Sequence, residues 1–161
     1  MTTEPLKFPV IGSEALRSTF RIHASGVAII TSHDDEGLPI GFTATSVTSL
    51  GSNPPLVSFN IARGSSSYPQ LIVGREVALH TLCAKNLELA QRMAGPKEQR
   101  FTGDDFQLVG KLPVFPAASS ISAASFIIAT RIFKAFSPQP ASNSTTGKPH
   151  LSFCALRTKR F

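Results

Sequence analysis

Cysteine is scarce in this chain: among its 161 residues only Cys83 and Cys154 are cysteines, far apart and without Cys-x-x-Cys or Cys-x-x-His spacing. That argues against a metal site and leaves buried free thiols as the expectation. His-Glu-x-x-His is absent too, so no metal is expected. Gly-x-Gly-x-x-Gly does not occur, and a nicotinamide cofactor would have to bind without a Rossmann unit. Without Gly-x-Ser-x-Gly the serines and histidines have no nucleophile setting, which excludes ordinary hydrolase chemistry. No run of 18 or more apolar residues occurs, so no membrane-spanning helix is expected. The opening "MTTEPLKFPV" lacks the basic-then-apolar order of a secretory signal, and a cytoplasmic location is the expectation. Charge is thin as well. Only 16% of residues are charged, against about a quarter in an ordinary soluble protein, which points to surface covered by a second copy. The net charge of +6 does not point to nucleic acid, because the basic residues are scattered apart from the closing "RTKRF".

What is present reads as strands. A single domain is expected over residues 1–161, with a loose arm over 1–12. "SEALRSTFRIHASG" then has a helical pattern: Ser13 as N-cap, Glu14 in the first turn, and Leu16, Phe20 and Ala24 on one face, ending at Gly26. "VAIITS" is β-branched and apolar, "HDDEGLP" is a turn, and Val27–Ser32 with Ile40–Thr45 should form an antiparallel hairpin. "LVSFNIA", residues 56–62, alternates, with Val57, Phe59 and Ile61 on the oily side. "GSSSYPQLIVG" puts three serines before a short helical turn, and "EVALHTLC" is a further strand in which His80 is expected to be a hydrogen-bonded core residue. "NLELAQRMAG" is a helix with Asn86 as cap and Leu87, Ala90 and Met93/Ala94 inward. "SFIIATRIFKAF" is a long strand, residues 137–149 form a polar, mobile loop, and "PHLSFCAL" is the last strand. Strands in adjacent pairs with short helices at their ends argue for an antiparallel barrel, since a doubly wound sheet would alternate strand and helix.

The chemistry should sit around "GFTATSVTSLGSNPPL", residues 41–56. Thr43, Thr45 and Ser46 offer hydroxyls, and Gly41 and Ala44 leave the backbone approachable, a wall suited to a flat heterocycle with polar edges. Further on, Arg63 with Ser65, Ser66 and Ser67 at a helix start make a phosphate cradle, to which Arg100 would add a second positive charge. Each element also has a plain structural explanation: Thr and Ser suit strands and turns, "SSS" is an ordinary cap, and "GSNPP" is a tight turn.

Together, "SGVAIIT", "G-x-T-A-T-S", "S-x-P-P-L", "N-x-x-x-x-S", "L-A-x-x-M-A-G" and "RF" resemble, from about Phe20 to Ala117, the short-chain flavin reductases, the reductase components of two-component monooxygenases. The resemblance implies an FMN-binding split β-barrel of Greek-key type, mainly β with short peripheral helices, and a homodimer that completes each flavin pocket. It implies FMN or FAD, with the ring against Thr43, Ala44, Thr45, Ser46 and Val47, Asn60 near the ribityl chain, and Ser65, Ser66 and Arg100 near the phosphate. NADH or NADPH would give a hydride to the flavin with no side chain acting as acid, base or nucleophile, and a flavin-dependent monooxygenase would take the product. The family pattern continues with a Gly-Asp-His hairpin near the nicotinamide side, and this sequence has no Gly-Asp-His. That departure motivates two alternatives: a non-catalytic flavin-binding protein or electron carrier of the same fold, and a split barrel holding haem or pyridoxal phosphate.

Overall fold

The computed structural model describes residues 20–132 and 151–159, with side chains described from 20 to 126. The expected arm, most of the first helix and the 137–149 loop lie outside the described residues. Strand β1 (Ala28–His33) pairs antiparallel with β2 (Pro39–Ala44), Ala28 opposite Ala44 and His33 opposite Pro39, which is the expected hairpin. Its turn is built by Asp34, whose carboxylate accepts the N–H groups of Glu36 at 3.0 Å and Leu38 at 2.8 Å, and by Gly37, whose φ of +84° suits a residue without Cβ. Arg75 clamps the turn from outside by donating to the Asp34 carbonyl at 3.1 Å and pairing with Asp35.

The chain then makes a strand where a loop was expected. β3 (Thr48–Ser52) pairs with β4 (Pro55–Ala62) across a turn that contains a cis Asn53–Pro54 bond. All five residues of β3 are exposed, so it has no buried face to impose an alternating pattern. β5 (Glu76–Thr81), helix α1 (Leu87–Ala94), a short hairpin of β6 (Gln107–Val109) and β7 (Leu112–Val114), β8 (Ser120–Ile132) and β9 (Leu151–Lys159) complete the order. One antiparallel sheet of seven strands runs β2-β1-β5-β8-β9-β4-β3.

The sheet is curled, because strands remote in that order share one core. Ile30 of β1, Phe42 of β2, Phe59 and Ile61 of β4, Val77 of β5 and Phe126 of β8 form a single buried cluster, and the Phe42 and Phe59 rings lie 5.8 Å apart. This is the split barrel: its strands wrap one interior, and β2 meets β4 without a ladder between them. A second cluster coats the outside of β1, where Ile29 packs with Leu89 and Met93 of α1 and with Phe115.

Three expectations are corrected. The inward residues of α1 are Leu89 and Met93, while Leu87 is 61% exposed. Asn86 does not cap α1; its side chain accepts the Cys83 N–H at 3.0 Å and donates to the Ala117 carbonyl at 2.9 Å, locking a preceding 3-10 turn. Buried Asn86 thus fills the inward position at the helix start, and the apolar face begins later. Cys83 is exposed, not buried, at the head of that same turn.

His80 is fully buried and bridges two elements. Its Nε2 accepts the Phe115 N–H at 3.2 Å, so the ring proton is on Nδ1, which donates to the Ile29 carbonyl at 3.2 Å. Burial lowers its pKa below the ordinary 6.5, outweighing the carbonyl contacts that raise it. The unfolded chain therefore binds a proton first as pH falls, and the His80 contribution is complete above about 6.5 and lost progressively below it. Thermal unfolding at pH 7.5, 6.5 and 5.5 should show a melting temperature that falls with acidification. In His80→Phe that fall should be shallower, on a protein about 1–3 kcal/mol less stable at pH 7.5 because the Phe115 N–H loses its acceptor.

Candidate functional site

The open seam between β2 and β4 is where most of the expected site residues gather. β2 bonds β1 along one edge; strand alternation puts the main-chain groups of Gly41 and Thr43 on the other edge, facing the seam. Side chains close what the ladder leaves open. The Ser46 hydroxyl accepts the Asn60 N–H at 2.8 Å, joining the exit of β2 to β4. The Gly41 carbonyl accepts from Ser67 Oγ at 3.2 Å and from Arg100 Nη1 at 2.6 Å.

Three clefts follow the seam. The first, about 530 Å³, is lined by Thr45, Ser46, Val47, Thr48 and Asn60, together with Phe20 and His23. The second, about 310 Å³, runs past Thr43, Asn60 and Ser65 to Arg100. The third, about 300 Å³, begins beyond Arg100 at Ser66. Asn60 belongs to the first two and Arg100 to the last two, so the clefts succeed one another along one line.

Within that line the expected residues have different duties. The Thr43 hydroxyl is already given to the Ala90 carbonyl of α1 at 2.7 Å, so toward the seam Thr43 presents main chain. Ala44 faces the barrel interior, where it is buried in the main core, and Val47 packs against that core. Thr45 and Asn60 are exposed to the cleft. Ser65 and Ser66 line the second and third clefts. Arg63 lines none of the three; its guanidinium lies 6.0 Å from the centre of the Tyr68 ring. The helix behind the serines is a single 3-10 turn, Tyr68–Gln70, and Ser67 at its start turns its buried hydroxyl to Gly41. Positive charge at this end of the line comes from Arg100. Its Nε donates to the Gly95 carbonyl at 2.9 Å and its Nη1 to Gly41 and, at 3.3 Å, to Ser66 Oγ. Burial lowers its pKa from the ordinary value, against the raising effect of Glu98, and it remains a cation.

Gly41 serves packing on its Cα side while its main chain borders the third cleft. A Cβ there would stand 2.7 Å from Met93 Cε, 2.9 Å from the Ile30 carbonyl and 3.2 Å from the Phe101 ring. The space beside it is filled by the protein's own α1 and aromatic cluster. Phe20 and His23 of the first cleft were missed as site residues, because a lone aromatic and an isolated histidine carry no spacing signal. No group of three or more His, Cys, Asp or Glu side chains is placed to hold a metal ion among the described residues. Gly41→Ala should cost about 1–3 kcal/mol in urea unfolding, since the Ile30 carbonyl cannot move aside; an unchanged midpoint would refute this packing.

A family model described as flavin reductase like domain matches residues 20–127. NADH:FMN oxidoreductases of Rhodococcus qingshengii and Rhodococcus erythropolis are each 42% identical over 93 residues, 58% of this chain and 48% of theirs. The reductase component of the flavin-dependent trigonelline monooxygenase of Acinetobacter baylyi is 33% identical over 86 residues, 53% of this chain and 28% of that protein. The chain thus spans about half or less of the length of these curated relatives. A flavin reductase domain protein from Arthrobacter sp. FB24, known from its crystal structure, superposes with a TM-score of 0.75 at 30% identity, covering 92% of this chain and 83% of that one. With the family pattern spanning β1 to β8 and the same barrel in a crystallographic relative, the chain belongs to the flavin reductase like domain family.

Proposed function

We propose that this protein is an NAD(P)H-dependent flavin reductase that moves a hydride from NADH or NADPH to FMN or FAD and releases reduced flavin to a monooxygenase. The observation that carries the reading is the line of clefts along the seam, with the main chain of β2 and its exit at one end and a fixed cation at the other. Those residues fit a flavin: a wide opening beside Thr45–Thr48 for the ring, exposed Asn60 in the middle, and Ser65, Ser66 and Arg100 where a phosphate would end. Bound flavin supplies the electrophilic ring atom, so the chain needs no acid, base or nucleophile of its own. Its residues bind and orient. Main-chain N–H groups from Thr43 to Val47 would favour negative charge on the polar edge of the reduced ring, and Phe20 and His23 would form the opposite wall, against which a nicotinamide fits. The names of the related proteins, NADH:FMN oxidoreductase and monooxygenase reductase component, point the same way.

Two finer assignments belong to this reading. The dependence on nicotinamide nucleotides in this reading supports a cytoplasmic location; as a separate fact, among the described residues no helix is long and apolar enough to cross a membrane. A homodimer would bury Ile22, which is 88% exposed and next in sequence to His23 of the first cleft, and Leu50 of the wholly exposed β3, which gives Thr48 to that cleft. The missing Gly-Asp-His supports the second reading, a flavin-binding protein without turnover.

Purified protein should oxidise NADH or NADPH only when FMN, FAD or riboflavin is added; no oxidation with any pairing would refute the reductase, and a yellow protein that never turns over would establish the carrier. Arg100→Gln should weaken FMN binding about tenfold and leave riboflavin, which lacks the phosphate, within twofold. Light scattering should give twice the chain mass, and Ile22→Glu with Leu50→Glu should return it to one.

A further inference from the structure

Two of the described histidines are spent on the fold. His33 Nδ1 meets the Asp34 carbonyl at 2.8 Å, and both ring nitrogens of His80 are bonded inside the core. His23 differs: it is exposed, it lines the first cleft, and neither of its ring nitrogens has a partner among the described residues. It is also the one ionisable side chain in that described lining. We infer, on the reading that the first cleft takes the flavin ring, that His23 supplies the positive charge which the reduced ring faces: it takes a proton from solvent as the oxidised nicotinamide leaves, and stands as an imidazolium beside the reduced flavin.

The need for such a charge follows from the reaction. Hydride transfer breaks a C–H bond of the dihydronicotinamide with both of its electrons and forms an N–H bond on the flavin ring. The nicotinamide is thereby oxidised and gains a positive charge, and the flavin is reduced and gains a negative one. While the two rings are stacked, these charges offset each other. Once the oxidised nicotinamide departs, the negative ring remains in a cleft whose described lining holds no Lys, Arg, Asp or Glu, whether from the 20–26 segment, the exit of β2, the head of β3 or Asn60 of β4. Arg21, in that same segment, is exposed and does not line the cleft, and Arg100 enters only at the second cleft. Main-chain dipoles over 43–47 offer partial charge, but it cannot change with the state of the ring. An imidazole can change, because its proton exchanges between about pH 5 and 8. The local geometry holds it ready. The His23 main-chain N–H donates to the Phe20 carbonyl at 3.3 Å, and the two side-chain rings pack edge to face at 5.5 Å, so the imidazole is steadied by its neighbour while its nitrogens stay open. An anion beside an imidazole strengthens its hold on the proton, so the added attraction is present at and below neutral pH and is lost as pH rises.

Dissociation constants of oxidised FMN and of dithionite-reduced FMN are measured anaerobically, with no nicotinamide present, at pH 7.0 and 8.5 for wild type, His23→Gln and His23→Lys. The His23 side chain is exposed, so neither change disturbs the core. At pH 7.0 the oxidised-to-reduced ratio of dissociation constants should be about threefold lower in His23→Gln than in wild type, with the value for oxidised FMN held within about twofold. His23→Lys, a cation at both pH values, should restore the ratio and keep it at pH 8.5, where the wild-type ratio falls to that of His23→Gln. An equal ratio in wild type and His23→Gln at pH 7.0, a ratio that His23→Lys leaves unrestored, or equal weakening of both flavin forms overturns the charge role, makes His23 a plain wall residue and leaves the flavin reading standing. Wild type that binds neither form of FMN overturns the underlying reading.

Discussion

The structure depends on a joint between two strands that share no ladder. β2 ends one side of the seven-strand sheet and β4 lies next to the other end, so among the described residues the barrel closes through side-chain contacts. Ser46 on the Asn60 main chain, and Ser67 and Arg100 on the Gly41 carbonyl, do the work that continuous β pairing does elsewhere. Such a closure leaves the outer main-chain edge of β2 to be met by side chains, as at the Gly41 carbonyl, where a fully laddered barrel would have a neighbouring strand. The liability of an unpaired edge and the capacity to hold a polar planar molecule are one property of this joint.

The Gly41 carbonyl couples that joint to the outer layer. Because Gly41 has no Cβ, Met93 and Phe101 press against β2, and this packing sets where α1 and the following segment run. Arg100 leaves that segment beside Phe101 and returns to the very carbonyl the packing exposes. Core packing, the seam and the charged end of the cleft line are thus one assembly, in which a change at Gly41 would be felt on all sides. His80 plays the matching part on the other side of β1, tying the exit of β7 to the sheet.

Much of this was legible in the residues. Elements with a buried face announced themselves: the apolar β1 of the β1–β2 hairpin, the alternation of Val57, Phe59 and Ile61, and the caged His80. β3 gave no signal because no face of it is buried, and its strand identity comes wholly from its partner. The inward face of α1 was read rightly at Met93 and wrongly at Leu87, where Leu89 is the buried leucine, while Asn86, a good cap by type, is spent on Cys83 and Ala117. Of the site, the stretch 43–47, Asn60, Ser65, Ser66 and Arg100 all fall on or beside the seam, whereas Arg63 lies over Tyr68. Residue type could suggest a cation and hydroxyls, but only the fold decides which of them face the same space. Thr43 shows the limit well: its hydroxyl looks available in the sequence and is consumed by a carbonyl of α1.

The anchoring of Arg100 bears on how quickly a guest would come and go. Its Nε and Nη1 are already satisfied by Gly95, Gly41 and Ser66, so the guanidinium loses little rotational freedom on meeting an anion. The same anchoring leaves a single nitrogen, Nη2, for that anion in place of a full two-pronged grasp. Preorganisation on one side and a monodentate hold on the other favour rapid capture with a short residence time, the kinetic habit of a carrier's loading dock and not of a vault.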